Sequence, residues 1–279
     1  MVLISNKDYR FILTLWTCIL CFTATADEGN PMLMNPKIIA HRGGANEAPE
    51  NTLSAFRKAV DFGVDFLEMD VRLSKDQVPM VFHDKNLFRT TNMRSFRALS
   101  RFNLKEIKEL EVGSWFSKEY TGEQIPTLQE VLSLERPKTG LMIELKVKGV
   151  SEEEDLVSAV ANTIKSSGVS LETIILGSFS CTVVEKLKKH LPEANTIGIA
   201  ETATELENHL LLSPKVIALK YTMATPNLIN EIHSKGISVW TWTVDDASQA
   251  LLLQEMGVDG LITNSPREIT AVLGSNNLL

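Results

Sequence analysis

Residues 216–263 read VIALKYTMATPNLINEIHSKGISVWTWTVDDASQALLLQEMGVDGLIT, and three short apolar runs in this stretch alternate with two helical patterns. The runs are Val216–Tyr221, Ser238–Val244 and Gly260–Thr263, and the helical patterns between them cover Pro226–Lys235 and Asp246–Met256. Short runs that are β-rich and nearly continuous in apolarity are typical of parallel strands buried on both faces. The stretch therefore predicts parallel strands that are joined by crossover helices.

The same alternation extends over most of the chain, from about Lys37 onward. The other strand candidates are Lys37–Ala40, Val64–Val71, Pro79–Phe82, Gly140–Lys146, Thr173–Phe179 and Asn195–Ala200. Repeated strand–helix alternation in a chain of 279 residues favours an α/β fold of the (β/α)8 TIM-barrel type over a doubly wound sheet. Nine candidates compete for eight places, so one of them is misassigned or lies outside the barrel.

Two features interrupt the regular alternation. Too few residues separate Val64–Val71 from Pro79–Phe82 for a crossover helix. Residues 85–139 are longer than a usual loop and carry both charges and aromatic side chains. We predict that this stretch is a small insertion between the third and fourth barrel strands and that it covers one end of the barrel.

The N-terminal residues have the pattern of a secretory signal. Lys7 and Arg10 precede the apolar run from Phe11 to Phe22, and Ala24-Thr25-Ala26 follows it. The run is shorter than the ~20 residues that a membrane-spanning helix needs. We expect residues 1–26 to be a cleaved signal peptide, residues 27–279 to form a single barrel domain without a stable membrane span, and the protein to be exported to a periplasmic or extracellular space. An uncleaved N-terminal membrane anchor and a buried first helix are the alternatives.

Composition restricts the function classes. With 44% hydrophobic and 23% charged residues, the chain has the composition of a soluble globular protein, and disorder is excluded as its main state. A net charge of −7 argues against general nucleic-acid binding, and three cysteines are too few for a disulfide framework. The sequence has no Walker-type loop and no zinc-spaced set of Cys and His, which argues against triphosphatase and zinc-hydrolase functions.

Acidic side chains follow the alternation of two strands. Glu68 and Asp70 are two residues apart on one predicted strand and therefore point to the same face, and Glu144 ends another strand. Three buried carboxylates repel one another, and a hard divalent cation such as Mg²⁺ or Ca²⁺ removes that repulsion. The alternative is a structural ion network in which these acids pair with Arg42 and Lys146.

Histidines and cations occupy neighbouring strand ends. His41 and His83 each follow an apolar strand, and histidine is the side chain best suited to proton transfer near neutral pH. Arg42 offers a bidentate fork for phosphate oxygens and Lys146 a point charge. Together these residues favour phosphoryl chemistry on a small anionic substrate. The other histidines, His190, His209 and His233, are interpreted as surface side chains on helices.

The ordered series of motifs resembles the glycerophosphodiester phosphodiesterases. The series consists of His41-Arg42-Gly43, Pro49-Glu50-Asn51-Thr52, Glu68-x-Asp70, His83-Asp84, Ile125-Pro126-Thr127-Leu128, Glu144-x-Lys146 and Trp242, and the match runs from about Ile38 to Arg267. Two positions depart from the family pattern. Asp245 stands where the family often has Asn, and Asn264 stands where Asp is common, which puts substrate selectivity in doubt more than activity.

The resemblance implies a barrel related to phosphoinositide phospholipases C and the hydrolysis of glycerophosphodiesters to glycerol 3-phosphate and an alcohol, with one divalent cation. By motif position, the metal ligands are Glu68, Asp70 and Glu144, the acid and base are His41 and His83, the phosphate contacts are Arg42 and Lys146, and the residues lining the substrate pocket are Glu50 and Trp242. Attack by water and attack by the substrate's own 2-hydroxyl both remain open.

Two other functions compete with this interpretation. A lysophospholipase D acting on lysolipids requires an apolar entrance near Trp115 and Phe116. A non-catalytic exported protein that binds phosphodiesters would keep the pocket without turnover. The expected partner is in each case a small molecule, and the oligomeric state is not encoded in any pattern that we find.

Overall fold

The computed structural model describes residues 35–93, 95–147 and 149–275. The expected signal peptide, residues 1–26, lies outside these residues and stays a prediction. Within the described residues, every helix is too short or too polar to cross a membrane.

The described residues contain a closed barrel of eight parallel strands, which confirms the predicted (β/α)8 fold. These strands are β1 (Lys37–Ala40), β2 (Phe66–Leu73), β4 (Gly140–Leu145), β5 (Ile174–Ser178), β6 (Asn195–Ala200), β7 (Val216–Lys220), β8 (Ser238–Trp242) and β9 (Gly260–Thr263). Strand β1 closes the barrel because it pairs with β9 on one side and with β2 on the other.

Strand β3 (Pro79–Val81) is the ninth candidate, and it lies outside the barrel. It returns antiparallel along β2, with Val71 opposite Val81 and Leu73 opposite Pro79. A tight turn makes this return, and Ser74 Oγ accepts a hydrogen bond from the Val78 amide inside it. The insertion therefore follows the second barrel strand and precedes the third, one strand earlier than predicted, because the short turn leaves no room for a crossover helix.

Helices follow the barrel strands and cover the outer face of the sheet. They are α1 (Leu53–Asp61), α3 (Leu128–Leu132), α4 (Val150–Ser167), α5 (Cys181–His190), α6 (Ala203–Leu210), α7 (Pro226–Ser234), α8 (Ala247–Glu255) and α9 (Pro266–Ser275), whereas the short α2 (Leu104–Ile107) lies in the insertion. Side-chain caps set several of their first residues: Thr52 Oγ1 accepts from the Ala55 amide, and Thr127 and Glu130 form a reciprocal capping box.

The alternation of side chains along the strands divides the core. Leu67 and Met69 are fully buried between β2 and the helices, whereas Glu68 and Asp70 point into the barrel. Inside the barrel, apolar side chains such as Ile39, Met142 and Trp240 fill the space below these carboxylates. The barrel thus has a packed floor and a polar mouth.

The insertion has a small core of its own, built from side chains of β3 and of residues 87–125. Met80 of β3 and Phe82, which follows this strand, pack there with Leu99 and Phe102. Because β3 belongs to this cluster and also pairs with β2, the insertion is attached to the barrel directly at the strand that carries Glu68 and Asp70.

His209 is fully buried, so its interpretation as a surface residue is wrong. Its imidazole packs against Gly198 of β6, where a Cβ atom would lie 2.6 Å from the ring, and Nε2 lies 3.2 Å from the Phe179 carbonyl oxygen. His190 and His233 are partly exposed and pair with Glu154 and Asp259, both at 2.7 Å.

Candidate active site

The turn after β1 places two of the predicted site residues over the barrel mouth. Arg42 has φ 52°, and Gly43 follows with φ 84°. A Cβ atom at Gly43 would lie 2.8 Å from Ala55 Cβ, so the close approach of this turn to α1 requires glycine. The Arg42 amide donates to Glu68 Oε2 at 2.7 Å, which ties the turn to β2.

Three buried carboxylates meet below this turn. Glu68 and Asp70 come from β2, and Glu144 of β4 is the register partner of Asp70. One carboxylate oxygen from each of the three lies within 4.8 Å of the others. A cluster of three carboxylate oxygens can hold a metal ion, and oxygen ligands are those preferred by Mg²⁺ and Ca²⁺.

Nearby cations neutralise only part of this negative charge. Lys146 Nζ lies 2.7 Å from Glu144 and 3.2 Å from Asp70, and Arg42 Nε lies 3.4 Å from Asp70. Burial opposes the ionisation of Asp70, but the charges of Lys146 and Arg42 outweigh it and hold the pKa of Asp70 below its usual range. The structural ion network considered from the sequence is therefore present around Asp70.

Glu68 is the carboxylate that this network does not neutralise. Burial, followed by repulsion from Asp70 and Glu144, raises the pKa of Glu68 well above its ordinary value. Burial also raises the pKa of Glu144 despite its contact with Lys146. The ion network with Arg42 and Lys146 thus leaves part of the negative charge of the three carboxylates unbalanced. This remaining charge indicates that the cluster fits an additional cation.

Asn51, quoted above only as part of the motif Pro49-Glu50-Asn51-Thr52, contacts the carboxylate cluster directly. It has φ 58°, its Nδ2 donates to Asp70 Oδ2 at 2.8 Å, and its Oδ1 accepts from the Asp70 amide at 3.3 Å. The next residue, Thr52, caps α1. Asn tolerates this left-handed conformation better than most residues, which suits it to the position.

His41 is held by a chain of two hydrogen bonds. Its Nδ1 lies 2.7 Å from Asn264 Oδ1, and Asn264 Nδ2 donates to Asp245 Oδ2 at 2.7 Å. Burial, followed by the charge of Arg42, lowers the pKa of His41 to about 4. The two positions at which the sequence departs from the family pattern are thus directly linked to a predicted catalytic histidine.

His83 reaches the mouth by a different route from the one assumed in the sequence analysis. It follows β3, which runs antiparallel, and the adjacent Phe82 amide donates to the Asp70 carbonyl oxygen at 2.8 Å. His83 Nδ1 donates to Asp84 Oδ1 at 2.7 Å, and Arg72 Nε donates to the His83 carbonyl oxygen at 2.7 Å.

Glu50 lies behind Arg42 and outside the cavity at the mouth. It accepts from Arg42 Nη1 at 3.0 Å and from both Nη atoms of Arg89 at 2.7 Å. Arg89 also donates to Asp84, the partner of His83. Glu50 therefore orients Arg42, and Arg89 links the two histidine-bearing segments, a role that no sequence motif indicated.

The cavity at the mouth has a volume of about 140 Å³. Its lining residues are His41, Arg42, Glu68, His83, Met142, Glu144, Lys146, Phe179, Ile199, Trp242, Thr243 and Ile262. Phe179 and Trp242 form one wall, with ring centroids 5.4 Å apart in an edge-to-face arrangement. The cavity thus combines a cationic and carboxylate end with an apolar wall, which suits a small phosphate ester.

A larger cavity of about 490 Å³ lies beside it and shares Lys146. Its other cationic lining residues are Arg72, Lys75, Lys85 and Arg101, and its acidic ones are Glu152 and Asp155. Trp115 and Phe116, near which a lysophospholipase D would require an apolar entrance, line neither of these two cavities.

Comparison with known proteins gives a consistent result. Residues 41–268 match the sequence profile of the Glycerophosphoryl diester phosphodiesterase family. A glycerophosphodiester phosphodiesterase of Caldanaerobacter subterraneus subsp. tengcongensis is 34% identical over 240 residues, which are 85% of this chain and 97% of that protein. A glycerophosphodiester phosphodiesterase of Bacillus subtilis is 28% identical over 263 residues, which are 87% of this chain and 88% of that protein.

Solved structures resemble this one over most of its length. A phosphodiesterase of Oleispira antarctica, in complex with the product sn-glycerol-3-phosphate, has a TM-score of 0.80 at 30% identity and covers 86% of this chain and 97% of its own. A glycerophosphodiester phosphodiesterase of Agrobacterium tumefaciens has a TM-score of 0.72 at 28% identity and covers 85% of this chain and 99% of its own.

Proposed function

This chain belongs to the Glycerophosphoryl diester phosphodiesterase family and is an enzyme of that class, and we propose that it uses one divalent cation and two histidines to hydrolyse glycerophosphodiesters to glycerol 3-phosphate and an alcohol. The observation that carries this proposal is the buried triad of Glu68, Asp70 and Glu144, which lies in one mouth with His41 and His83. Its unbalanced negative charge supports the binding of a cation, and the position of both histidines in the same cavity lining supports their role in proton transfer.

The triad would hold the cation, either Mg²⁺ or Ca²⁺. When bound, the cation supplies Lewis-acid stabilisation of the negative charge on the phosphoryl oxygens. Arg42, held by Glu50, and Lys146, held by Asp70 and Glu144, are cationic groups that line the same cavity. They bind and orient the phosphate in front of the histidines.

The hydrogen bonds of Asn264 support His41 as the base. Because the Asp245 carboxylate only accepts, Asn264 must turn its Nδ2 towards it and its Oδ1 towards His41. His41 Nδ1 then carries a proton, and His41 Nε2 has a free lone pair. Nε2 takes the proton of the attacking hydroxyl, which belongs either to water or to the substrate's glycerol 2-hydroxyl.

His83 is assigned as the acid. The Asp84 carboxylate accepts the hydrogen bond of its Nδ1, and a carboxylate in this position stabilises an imidazolium. As the new P–O bond forms and the bond to the alcohol breaks, His83 gives a proton to the departing oxygen. Free alcohol and a phosphate monoester, or a cyclic phosphate after internal attack, are the products.

The test is the release of glycerol 3-phosphate from glycerophosphocholine by the purified full chain. We expect release in the presence of Mg²⁺ or Ca²⁺, loss of release after treatment with a chelator, and recovery when the cation is restored. Binding of glycerophosphocholine without any turnover, under all of these metal conditions, would support a non-catalytic binding protein instead.

Exchanging the residues that hold His41 gives a second prediction. Asn264→Asp alone replaces the hydrogen bond from Asn264 Nδ2 to Asp245 Oδ2 with repulsion between two carboxylates. The side chain at position 264 is then no longer held in the orientation in which it accepts from His41, and kcat is expected to fall by about 10²-fold with a smaller effect on KM. In Asp245→Asn/Asn264→Asp, the new amide at position 245 donates to the new carboxylate at position 264, which still accepts from His41. Both hydrogen bonds that hold His41 are then restored, so kcat is expected to return close to the wild-type value.

Steady-state kinetics of the single and double variants check this rescue. Asp246→Asn is the matched control. Asp246 is the residue after Asp245 and caps α8, and Asn caps helices equally well. Its kcat should equal that of the wild type. If the double exchange is as slow as Asn264→Asp, the positioning role of this pair is wrong.

A further inference from the structure

Residues 85–105, called the basic loop here, have a charge opposite to that of the whole chain. This stretch reads KNLFRTTNMRSFRALSRFNLK and contains six Lys and Arg but neither Asp nor Glu. The chain as a whole has 35 Asp and Glu in 279 residues and a net charge of −7. Acids average one in eight residues, so a stretch of this length would ordinarily contain two or three.

Three large apolar side chains of the basic loop face the solvent. Phe88 is 39% exposed, Met93 43% and Phe96 77%. A bridge between Asn86 and Ala98 closes a hairpin-like excursion, and across it the rings of Phe88 and Phe96 stack, with centroids 4.3 Å apart and planes 12° from parallel. Isolated exposed apolar residues are ordinary in proteins, but a grouped, stacked set marks an interaction surface.

The basic loop also carries exposed cations without acidic partners. Lys85, Arg97, Arg101 and Lys105 are exposed, and none of them forms an ion pair with any residue that the structure describes. The Arg97 guanidinium lies over the Phe102 ring at 4.5 Å, so its charge stays available at the surface. The basic loop therefore presents both exposed apolar side chains and exposed positive charges.

The basic loop also adjoins the mouth of the barrel. Arg89, the residue after Phe88, donates to Glu50 and to Asp84, the partners of Arg42 and His83. Lys85 and Arg101 line the larger of the two cavities beside the active site. A surface that covers the tip of the basic loop would lie next to the site entrance.

We propose that the basic loop docks this protein onto an anionic phospholipid surface, with Phe88, Met93 and Phe96 inserted among the lipids and the cations against their phosphates. Aromatic side chains combined with Lys and Arg are the usual composition of surfaces that lie in a membrane interface. Unpaired cations in an otherwise acidic protein match the negative potential of such a membrane. This argument rests on the proposed function: a glycerol phosphodiester is a phospholipid without its acyl chains, so docking holds the entrance where this chemistry is concentrated.

Vesicle co-sedimentation of the full chain tests this proposal without substrate. We compare vesicles of phosphatidylcholine alone with vesicles that contain phosphatidylcholine and phosphatidylglycerol. Binding should be stronger to the anionic vesicles and should fall as NaCl is added, because salt screens surface charges. Phe88→Ser/Phe96→Ser should weaken it by about tenfold, and Lys85→Gln/Arg97→Gln/Arg101→Gln by about fivefold for each charge removed.

Exposed apolar and cationic residues outside the basic loop provide matched controls. Leu211→Ser removes an apolar side chain that is 82% exposed at the end of α6, and Lys138→Gln/Lys165→Gln removes two exposed charges elsewhere. Neither should change vesicle binding. Because every protein keeps the same N-terminus, any affinity of the apolar run Phe11–Phe22 for vesicles is common to all of them.

The outcomes separate this proposal from the catalytic one. Release of glycerol 3-phosphate from soluble glycerophosphocholine should be unchanged in Phe88→Ser/Phe96→Ser, which also shows that the variant is folded. Equal vesicle binding by this variant and the wild type would overturn the proposal. It would also be overturned if light scattering showed that the wild type self-associates through these residues and the variant does not, with no binding to anionic vesicles by either.

Discussion

Glu68→Gln is expected to weaken metal binding by at least about tenfold and to lower kcat/KM by about 10³-fold, because it removes one of the three carboxylates proposed to hold the cation. With it goes Lewis-acid stabilisation worth several kcal/mol of barrier. The metal-free form of this variant should be at least as stable as metal-free wild type. Burial and repulsion from Asp70 and Glu144 disfavour the charge on Glu68, so its removal relieves the folded state.

Asp70→Asn is expected to lose metal and activity to the same extent but to be less stable than the wild type. Asp70 lies 3.2 Å from Lys146 Nζ and 3.4 Å from Arg42 Nε, and its neutralisation leaves these two buried or half-buried cations without their shared partner. The triad therefore contains one residue whose charge is opposed by the fold and one whose charge is supported by it.

Metal analysis and thermal unfolding of the purified, metal-free and metal-loaded proteins separate a metal centre from a structural ion network. Glu153→Gln is the control: Glu153 is buried outside the site, 2.6 Å from Lys186 Nζ, and its loss should lower the melting temperature with metal content and activity intact. If Glu68→Gln behaved like Glu153→Gln, with wild-type metal and a lower melting temperature, the triad would be structural.

The barrel could be predicted from the sequence because parallel strands that are buried on both faces appear there as short apolar runs, and these runs are separated by capped helices. The error at Pro79–Val81 has a physical cause. A short apolar run looks the same whether it pairs parallel inside a barrel or antiparallel at its edge, and only the length of the preceding turn distinguishes the two. The length of that turn showed that the candidates Val64–Val71 and Pro79–Phe82 are not both barrel strands joined by a crossover helix. It did not show which of the two lies outside the barrel.

The site was predictable where its residues are fixed by strand periodicity. Glu68, Asp70 and Glu144 converge because side chains two apart share a face and because β2 and β4 pair in register. His83 also reaches the mouth, but it does so because β3 returns antiparallel along β2. The periodicity of the sequence does not predict this pairing.

Residues that act through side-chain hydrogen bonds were not predictable in this way. Asn51 and Arg89 contact the site from loops whose conformation depends on packing far along the chain. Asp245 and Asn264 were visible as departures from a family pattern, but their link to His41 depends on side-chain orientation at the ends of two neighbouring strands. His209 is buried because Gly198 leaves it space, a relation between two elements and not a property of either.

His41→Ala and His83→Ala are each expected to lower kcat by about 10²–10⁴-fold, the usual contribution of a general acid or base. Metal content should be unchanged in both, since neither imidazole belongs to the carboxylate triad. His190→Ala and His233→Ala are controls that remove partly exposed imidazoles paired with Glu154 and Asp259 on the outer side, and both should keep wild-type kcat.

The two histidines should differ in their response to the leaving group. His41 is proposed to act on the attacking hydroxyl, whereas His83 is proposed to act on the departing oxygen. A glycerol phosphodiester of 4-nitrophenol releases a phenolate that needs no proton, so His83→Ala should recover most of its rate on this substrate. His41→Ala should remain slow on it, because activation of the attacking hydroxyl by Nε2 is still required. The double variant should be little slower than His41→Ala alone on the nitrophenyl substrate. Recovery by His41→Ala in place of His83→Ala would reverse the two assignments, and equal recovery by both would show that neither histidine has a distinct role in proton transfer.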